Sequence, residues 1–368
     1  MKHLLVTSAG GRLAIGFCDA LRIAPEPMYI AGVDSDKFGV QRAVADEKHV
    51  VPKAAHDDYV PVLNDIISEA GIDLLMVQLS AELLPVSAAR DRLRTRIFLP
   101  SHRTLTVCDS KWDSYEHWRR AGVPVPASMF INTEADLRYA FRQLGGTLWL
   151  RAIRGTGGKG SLPVSDYDKA KRWIDFWNGW GDFMAAQLLS KETVTWESIW
   201  WEGELIVAQG RRRLYWEFSN LTPSGVTGIT GASVTLRDAV VDDTALRAIL
   251  AIDPKPHGIM SVDMAYDNNG IPSVTEINAG RFMSGGIILY AQRGLNMPYL
   301  AVQLALGEKP NLSAPVLNPL PNGIVCVRGL DTKPILTTMA ETERRSRELE
   351  ERRNTMHGVK AAAVLQMQ

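Results

Sequence analysis

At 368 residues the chain is too long for one hydrophobic core and implies two or three packed units, and 46% hydrophobic with 22% charged residues is the composition of a globular chain rather than a disordered or membrane-embedded one. Lys plus Arg and Asp plus Glu balance at 41 each, so no net field calls for nucleic acid or an anionic membrane. The three cysteines (Cys18, Cys108, Cys326) are scattered with no CxxC pair, which excludes a disulfide framework or structural zinc site and fits a reducing cytoplasm.

The opening MKHLLVTSAGG holds an apolar run broken at Gly10-Gly11, too short for a signal-peptide core or a membrane span. Residues 3–7 read as a first strand, followed by a helix through Leu13, Phe17, Ala20 and Leu21. Residues 28–33 predict a second strand ending at Asp34, 59–70 a helix, 74–78 a strand and 97–99 a short strand. Strands alternating with helices predict a parallel, doubly wound sheet in a first unit, 1–105. Its glycine turn lacks the G-x-G-x-x-G spacing, because the next glycine after Gly11 is Gly16. Three readings stay open: a dinucleotide turn with Asp34 as ribose acid, a tight strand-to-helix turn, or backbone N–H groups holding part of an acceptor substrate.

Asp109-Ser110-Lys111 opens the next helix, with either Asp109 or Ser110 as cap, and Gly122 stops it before the extended Val123-Pro124-Val125-Pro126. A helix over 134–144 and a strand over 147–153 lead into the loop Arg154-Gly155-Thr156-Gly157-Gly158-Lys159-Gly160, and a Trp-rich helix spans 168–177. The second half is richer in strands: 183–189, 193–201, 205–211, 259–266 and 273–277, with hairpin turns at Glu202-Gly203-Glu204 and Asp267-Asn268-Asn269-Gly270. Residues 340–353 (AETERRSRELEERR) read as a solvated charged helix.

Two features carry chemistry. Gly155, Gly157, Gly158 and Gly160 let backbone N–H groups approach an anion without Cβ interference, as a phosphate flap requires, although the Walker spacing is absent. Asp263 lies on one strand and Glu276 and Asn278 on the next, and counting outward from the Asn-Gly turn places Asp263 roughly across from Glu276. Glu276 and Asn278, two apart, share a face. Three oxygen-bearing side chains on one sheet face suit a hard divalent cation, Mg2+ or alternatively Mn2+. Arg281 follows and could neutralise a developing phosphoryl charge.

Taken together, Asp109-Ser110-Lys111, Ala121 to Pro126, Leu150-Arg151-Ala152 into Gly155–Gly160, Gln187-Leu188-Leu189, Asp263, and Glu276-Ile277-Asn278 with Arg281 resemble the ATP-grasp superfamily from about residue 5 to 310. The resemblance is nearest to the carbamoyl-phosphate-synthase-like and carboxylate–amine ligase branches. It implies an α/β architecture: an N-terminal Rossmann-like unit (1–105), a small lid (106–185), a large subdomain with the metal site (186–312), and a C-terminal strand and charged helix (313–368). It also implies roles. Lys111 and Arg151 would contact ATP phosphates, with Gly155, Thr156, Gly157, Gly158 and Gly160 folding over them. Gln187, Leu188 and Leu189 would form the adenine hinge, and Glu192 would hold the ribose hydroxyls. Asp263, Glu276 and Asn278 would hold the metal, and Arg281 and Lys159 would be the catalytic cations. Two departures stand out: Gln187 replaces a commoner acid, and Gly280 is inserted before Arg281.

Arg211-Arg212-Arg213 is read as a strand end with Arg211 and Arg213 on one face. With Ser284 and Gly285 they form the candidate substrate-binding set; a solvated strand end is the alternative. The tryptophans (Trp173, Trp177, Trp180, Trp196, Trp200, Trp201, Trp216) read as core or interface anchors. Trp200 and Trp201 cannot both face one core, which leaves one for a pocket wall or a homodimer contact. The expected function is an ATP-dependent ligase joining a small-molecule carboxylate to an amine, in the cytoplasm, with no nucleic-acid or membrane partner. The alternatives are a carbamoyl-phosphate-forming, kinase-like domain and a non-catalytic nucleotide-binding subunit.

Overall fold

The computed structural model describes residues 1–283, 286–310, 312, 314–329, 335–338 and 340. The charge run over 340–353 lies outside the described residues except for its first member.

The first unit contains β1 (Lys2–Val6), α1 (Arg12–Arg22), β2 (Met28–Asp34), β3 (Glu47–Val50), α2 (Tyr59–Glu69), β4 (Leu74–Met76), α3 (Ser80–Ala88), β5 (Arg96–Ile97) and α4 (His102–Asp109). Its strands form a parallel sheet in the order β3-β2-β1-β4-β5. Period-two alternation feeds both faces. Leu5, Ala31 and Leu75 pack with Leu63, Ile66 and Ile67 of α2. Leu4, Val6, Ile30 and Leu74 pack with Phe17 and Leu21 of α1. This is the doubly wound sheet that the alternating pattern predicts.

A second sheet follows from α5 (Lys111–Arg120), β6 (Ser128–Ile131), α6 (Glu134–Leu144), β7 (Leu148–Ala152), β8 (Leu162–Val164), α7 (Tyr167–Phe176) and β9 (Phe183–Gln187). Its order is β6-β9-β7-β8, antiparallel throughout. Leu148 and Leu150 of β7 enter a small core with Leu137 of α6 and Ile174 of α7. Alternation therefore turns Arg151 to the opposite face. A capping box between Thr133 and Asp136 starts α6.

The third sheet is built from β10 (Thr193–Trp201), β11 (Glu204–Trp216), β12 (Thr230–Leu236), α8 (Ala239–Ile252), β13 (Gly258–Tyr266), β14 (Pro272–Ala279), α9 (Ile287–Gln292), α10 (Met297–Ala305), β15 (Ile324–Val327) and β16 (Ile335–Thr338). Strand order is β14-β13-β10-β11-β12-β15-β16. One face is apolar: Val194, Trp196 and Val262 pack on Val241, Ala245 and Ile249 of α8 and on Trp118 of α5. Both buried indoles are satisfied, Trp118 Nε1 donating to Ala248 O (3.0 Å) and Trp196 Nε1 to Asp242 Oδ1 (2.8 Å). Trp200 is buried, whereas Trp201 is half-buried. It stacks on Phe98 of the first unit (centroids 6.2 Å apart) and against His257.

Gly280 joins the third sheet to the first unit. Its φ is +90°, and a Cβ there would stand 2.7 Å from Leu83 Cδ2, with Leu99 and Leu105 methyls close behind. Both conditions call for glycine. Gly280→Ala should lower unfolding stability by about 1–3 kcal/mol. An unchanged midpoint in denaturant unfolding would contradict this packing.

Candidate active site at the junction of the three units

The β13–β14 hairpin sets the acids. Asp267 Oδ1 accepts from Asn269 N (2.8 Å) and Ile271 N (2.9 Å), and Gly270 takes φ +75°, so the turn is closed by its own side chain. Met264 pairs with Val274, but the next residue, Asp263, pairs with Glu276, leaving Thr275 as a bulge. Without the bulge, Thr275 would stand across from Asp263. Thr275 is held there, its Oγ1 donating to Asp263 O (3.0 Å) and its carbonyl accepting from Arg151 Nη1 (3.1 Å).

Register then lays two polar rows across the buried sheet face. One runs Glu276, Asp263, Thr195, Arg211, Thr235; the next runs Asn278, Ser261, Glu197, Gln209. Asn278 Nδ2 donates to Asp263 Oδ2 (3.2 Å) and Glu276 Oε1 (3.4 Å), so the three expected metal-site side chains meet. Thr195 Oγ1 donates to Asp263 Oδ1 (2.6 Å), and Arg213 Nη2 stands 3.7 Å from the same oxygen. Burial pushes the Asp263 carboxyl up, and Glu276 adds to this against the pull of Arg213. At Glu276 burial acts in the same sense, but Lys111 and Arg151 outweigh it and hold the carboxyl below its ordinary value.

Two further cations come from the second unit. Arg151 Nη2 lies 3.0 Å from Glu276 Oε2. Its Nε is buried without a partner. Lys111 is the first residue of α5, placed by Ser110, whose Oγ accepts from Asp113 N; of the two expected caps, Ser110 is the one used. Lys111 Nζ donates to Gly155 O (2.7 Å) and stands 3.8 Å from Glu276 Oε2. Burial lowers the Lys111 pKa to about 8 despite Glu276.

All four flap glycines have positive φ: Gly155 +110°, Gly157 +68°, Gly158 +73° and Gly160 +73°. Residues 222–229 lie over the flap, since a Cβ on Gly158 would meet Val226 O at 2.8 Å. Arg12 of α1 donates to Gly228 O (3.2 Å), tying the first unit to that covering loop.

Other expected residues are placed as follows. Gln187 and Leu188 are exposed at the end of β9, and Glu192 is exposed just before β10; together they span the connection between lid and large sheet. Thr156 and Lys159 are exposed on the flap. Ser284 and Gly285 lie outside the described residues. Arg211 to Arg213 do not end a strand, because β11 continues to Trp216, where the Arg213 guanidinium sits 3.6 Å from the ring centroid. The expected facing holds: Arg211 is buried, Arg212 exposed and Arg213 largely buried. Asp34 is used by its own turn, accepting from Gly10 N (3.1 Å) and Asp36 N (3.0 Å), which favours the tight-turn reading over a ribose acid.

Arg281 is 5% exposed and donates from Nη2 to Ser80 Oγ of α3 (2.6 Å). Burial lowers its pKa to about 10. Glu197 is missing from the expected set, yet it is fully buried and its Oε1 accepts from Met283 N (2.9 Å), anchoring the segment that follows Arg281. The available signal was a single acid at an i, i+2 position from Thr195 in a strand whose other residues are all uncharged. A cleft of about 80 Å3 opens between the flap, Lys111, Glu276, Arg281 and helices α3 and α4.

Among solved structures sharing this architecture, the L-amino acid ligase of Bacillus licheniformis aligns over 89% of this chain and 79% of its own, with TM-score 0.67 and 15% identity. The N5-carboxyaminoimidazole synthetase of Staphylococcus aureus covers 89% and 82%, with TM-score 0.66 and 15% identity. The biotin carboxylase domain dimer of Hydrogenobacter thermophilus 2-oxoglutarate carboxylase, solved with MgADP, ADP and bicarbonate, covers 88% and 74%, with TM-score 0.68 and 14% identity. No protein-family model and no curated protein sequence matches the chain. At these identities the likeness is one of fold, and the chain has the ATP-grasp fold that its motifs lead one to expect. Among the described residues no helix is long and apolar enough to cross a membrane.

The Lys111 shift gives a test in metal-free, ligand-free protein. Between about 8 and its ordinary 10.5, the unfolded chain holds a proton that the folded one has released, so this group makes stability rise with pH. Below that window both states are charged and the burial penalty is fully present. Wild type should gain on Lys111→Met in urea unfolding between about pH 7.5 and about pH 10. A gap that stays constant with pH would contradict the assignment.

Proposed function

We propose that the chain is an ATP-dependent ligase that phosphorylates a small-molecule carboxylate and passes the acyl group to an amine, releasing ADP and phosphate. The observation that carries this reading is the convergence on one cleft of Lys111, Arg151, a positive-φ glycine flap and the Asp263–Glu276–Asn278 cluster. An L-amino acid ligase and a carboxylase domain complexed with bicarbonate among the structural neighbours support a carboxylate-type substrate.

The residues fit the groups such a reaction needs. Two carboxylates and a carboxamide, turned so that Oδ1 faces inward, form a hard oxygen set suited to Mg2+, with Mn2+ acceptable. Bound there, the cation would neutralise charge on phosphate oxygens during transfer. Lys111 and Arg151 now face Glu276 and present donors where phosphate oxygens would enter; the unpartnered Arg151 Nε fits such a role. Flap glycines bring backbone N–H groups to the same anion, and the covering loop keeps water out while the acyl phosphate waits. Gln187–Leu189 would hold adenine and Glu192 the ribose. Arg281 and Lys159 would stabilise the transferring group, with Arg211, Arg213, Ser284 and Gly285 facing the acceptor. The corresponding division is a Rossmann-like unit to about residue 105, a lid to 185, a catalytic sheet to 312 and a C-terminal segment.

In the chemistry, a carboxylate oxygen attacks the γ-phosphorus and ADP leaves; the amine nitrogen then attacks the acyl carbon and phosphate leaves. The residues position and neutralise, which is how such transfers are catalysed. An ADP-release assay across carboxylates and amines, with hydroxylamine as trap, tests this. A stable amide is expected, and amine-independent accumulation of a trappable acyl phosphate would favour the kinase-like alternative. Glu276→Gln should keep the fold by circular dichroism and lose about 100-fold or more in turnover. Near-normal ADP release by that variant would remove Glu276 from the site.

A further inference from the structure

A second, smaller pocket lies between β11, β12, β15 and α9, and no described residue lines both it and the cleft. Arg211 enters it from the sheet and Tyr290 from α9; the two are 6% and 5% exposed. Arg211 Nε and the Tyr290 hydroxyl are both buried without a hydrogen-bond partner. A guanidinium can only donate. The rest of the lining has little to accept with. Thr235 Oγ1 already donates to Pro321 O (2.7 Å) and accepts from Ile324 N (2.9 Å), and Ser233 is hydrogen-bonded to Cys326. A water placed there would accept from both free donors and leave its own protons facing other donors or apolar groups. Charge points the same way. Arg293 adds a second guanidinium at the exposed rim, and no described lining residue is acidic. Glu197 lies near enough to act on Arg211, but its Oε1 is held by Met283 N (2.9 Å). Burial raises the pKa of the Tyr290 phenol and of the Cys326 thiol, so neither supplies a negative charge.

We propose that this pocket binds one monatomic anion of the chloride class, which accepts from Arg211 Nε and the Tyr290 hydroxyl. Its free volume of about 10 Å3 admits one water-sized species and is too small for a carboxylate, sulfate or phosphate group. The ion relieves two buried donors that are otherwise unsatisfied, and it brings the sign of charge that the two arginines call for. It also ties α9 to β11, which fixes the start of the helical segment that follows Arg281 in the chain. The site is separate from the cleft, so it stands or falls independently of the ligase reading.

The test is thermal unfolding of the full chain, free of nucleotide and metal, with sodium chloride or sodium bromide exchanged for sodium gluconate at constant ionic strength. The wild-type midpoint should rise saturably with either halide. Tyr290→Phe keeps the ring and removes one donor, and it should weaken halide binding by about ten-fold. Arg293→Gln, at an exposed position, should weaken it by about two- to three-fold, and it keeps the test alive if Tyr290→Phe fails to fold. Crystals grown in bromide should show one anomalous peak between Arg211 and Tyr290. The same salt response in wild type and both variants, or a water in place of the bromide peak, would overturn the proposal. Displacement of bromide by acetate or sulfate would also overturn it, because the pocket would then be an arm of the acceptor site.

Discussion

Glu276 is the group through which the second and third units meet. Its carboxylate faces Arg151 from the lid strand β7 and Lys111 from the start of α5, while its neighbour Thr275 supplies the carbonyl for the other Arg151 nitrogen. Removing one partner would leave the others partly desolvated and less well paired. The single-residue bulge at Thr275 decides that the acid, rather than a hydroxyl, stands across from Asp263. A backbone irregularity of one residue thus fixes the charge pattern of the whole cleft.

Around that contact, the first unit is attached at several points rather than along a broad seam. Gly280 receives the leucines of α3 and α4, Trp201 stacks on Phe98, and Arg12 reaches the loop lying over the flap. Two of these contacts adjoin the cleft: Gly280 directly precedes Arg281, and Gly228, the Arg12 partner, lies against Gly157.

Much of this was legible in the sequence for identifiable reasons. The parallel sheet follows from strand–helix alternation. The Asp267–Gly270 turn allows counting to the acid pair, although the bulge that makes the count come out at Glu276 has no local signature. The Gly-rich loop shows its need for positive φ directly. Other features depend on the tertiary fold. Arg211 and Arg213 read as a strand end because basic residues usually meet solvent, yet the sheet's polar face buries them beside Glu197 and Asp263. The stacking of Trp201 on Phe98 of the first unit has no signal in the local sequence. Helix α3 contains Pro85, ordinarily a helix breaker. Helix α8 is a different case: its Asp238 cap and apolar stripe are readable, though it is not among the elements expected above.

We propose that this junction is a magnesium–nucleotide site. Calorimetric titration of the full chain with ATP in the presence of Mg2+, set beside NADH under the same conditions, tests it most directly. The account predicts saturable ATP binding that weakens when the metal is chelated, and no NADH binding because Asp34 is already engaged by its own turn. NADH binding without ATP binding would contradict it.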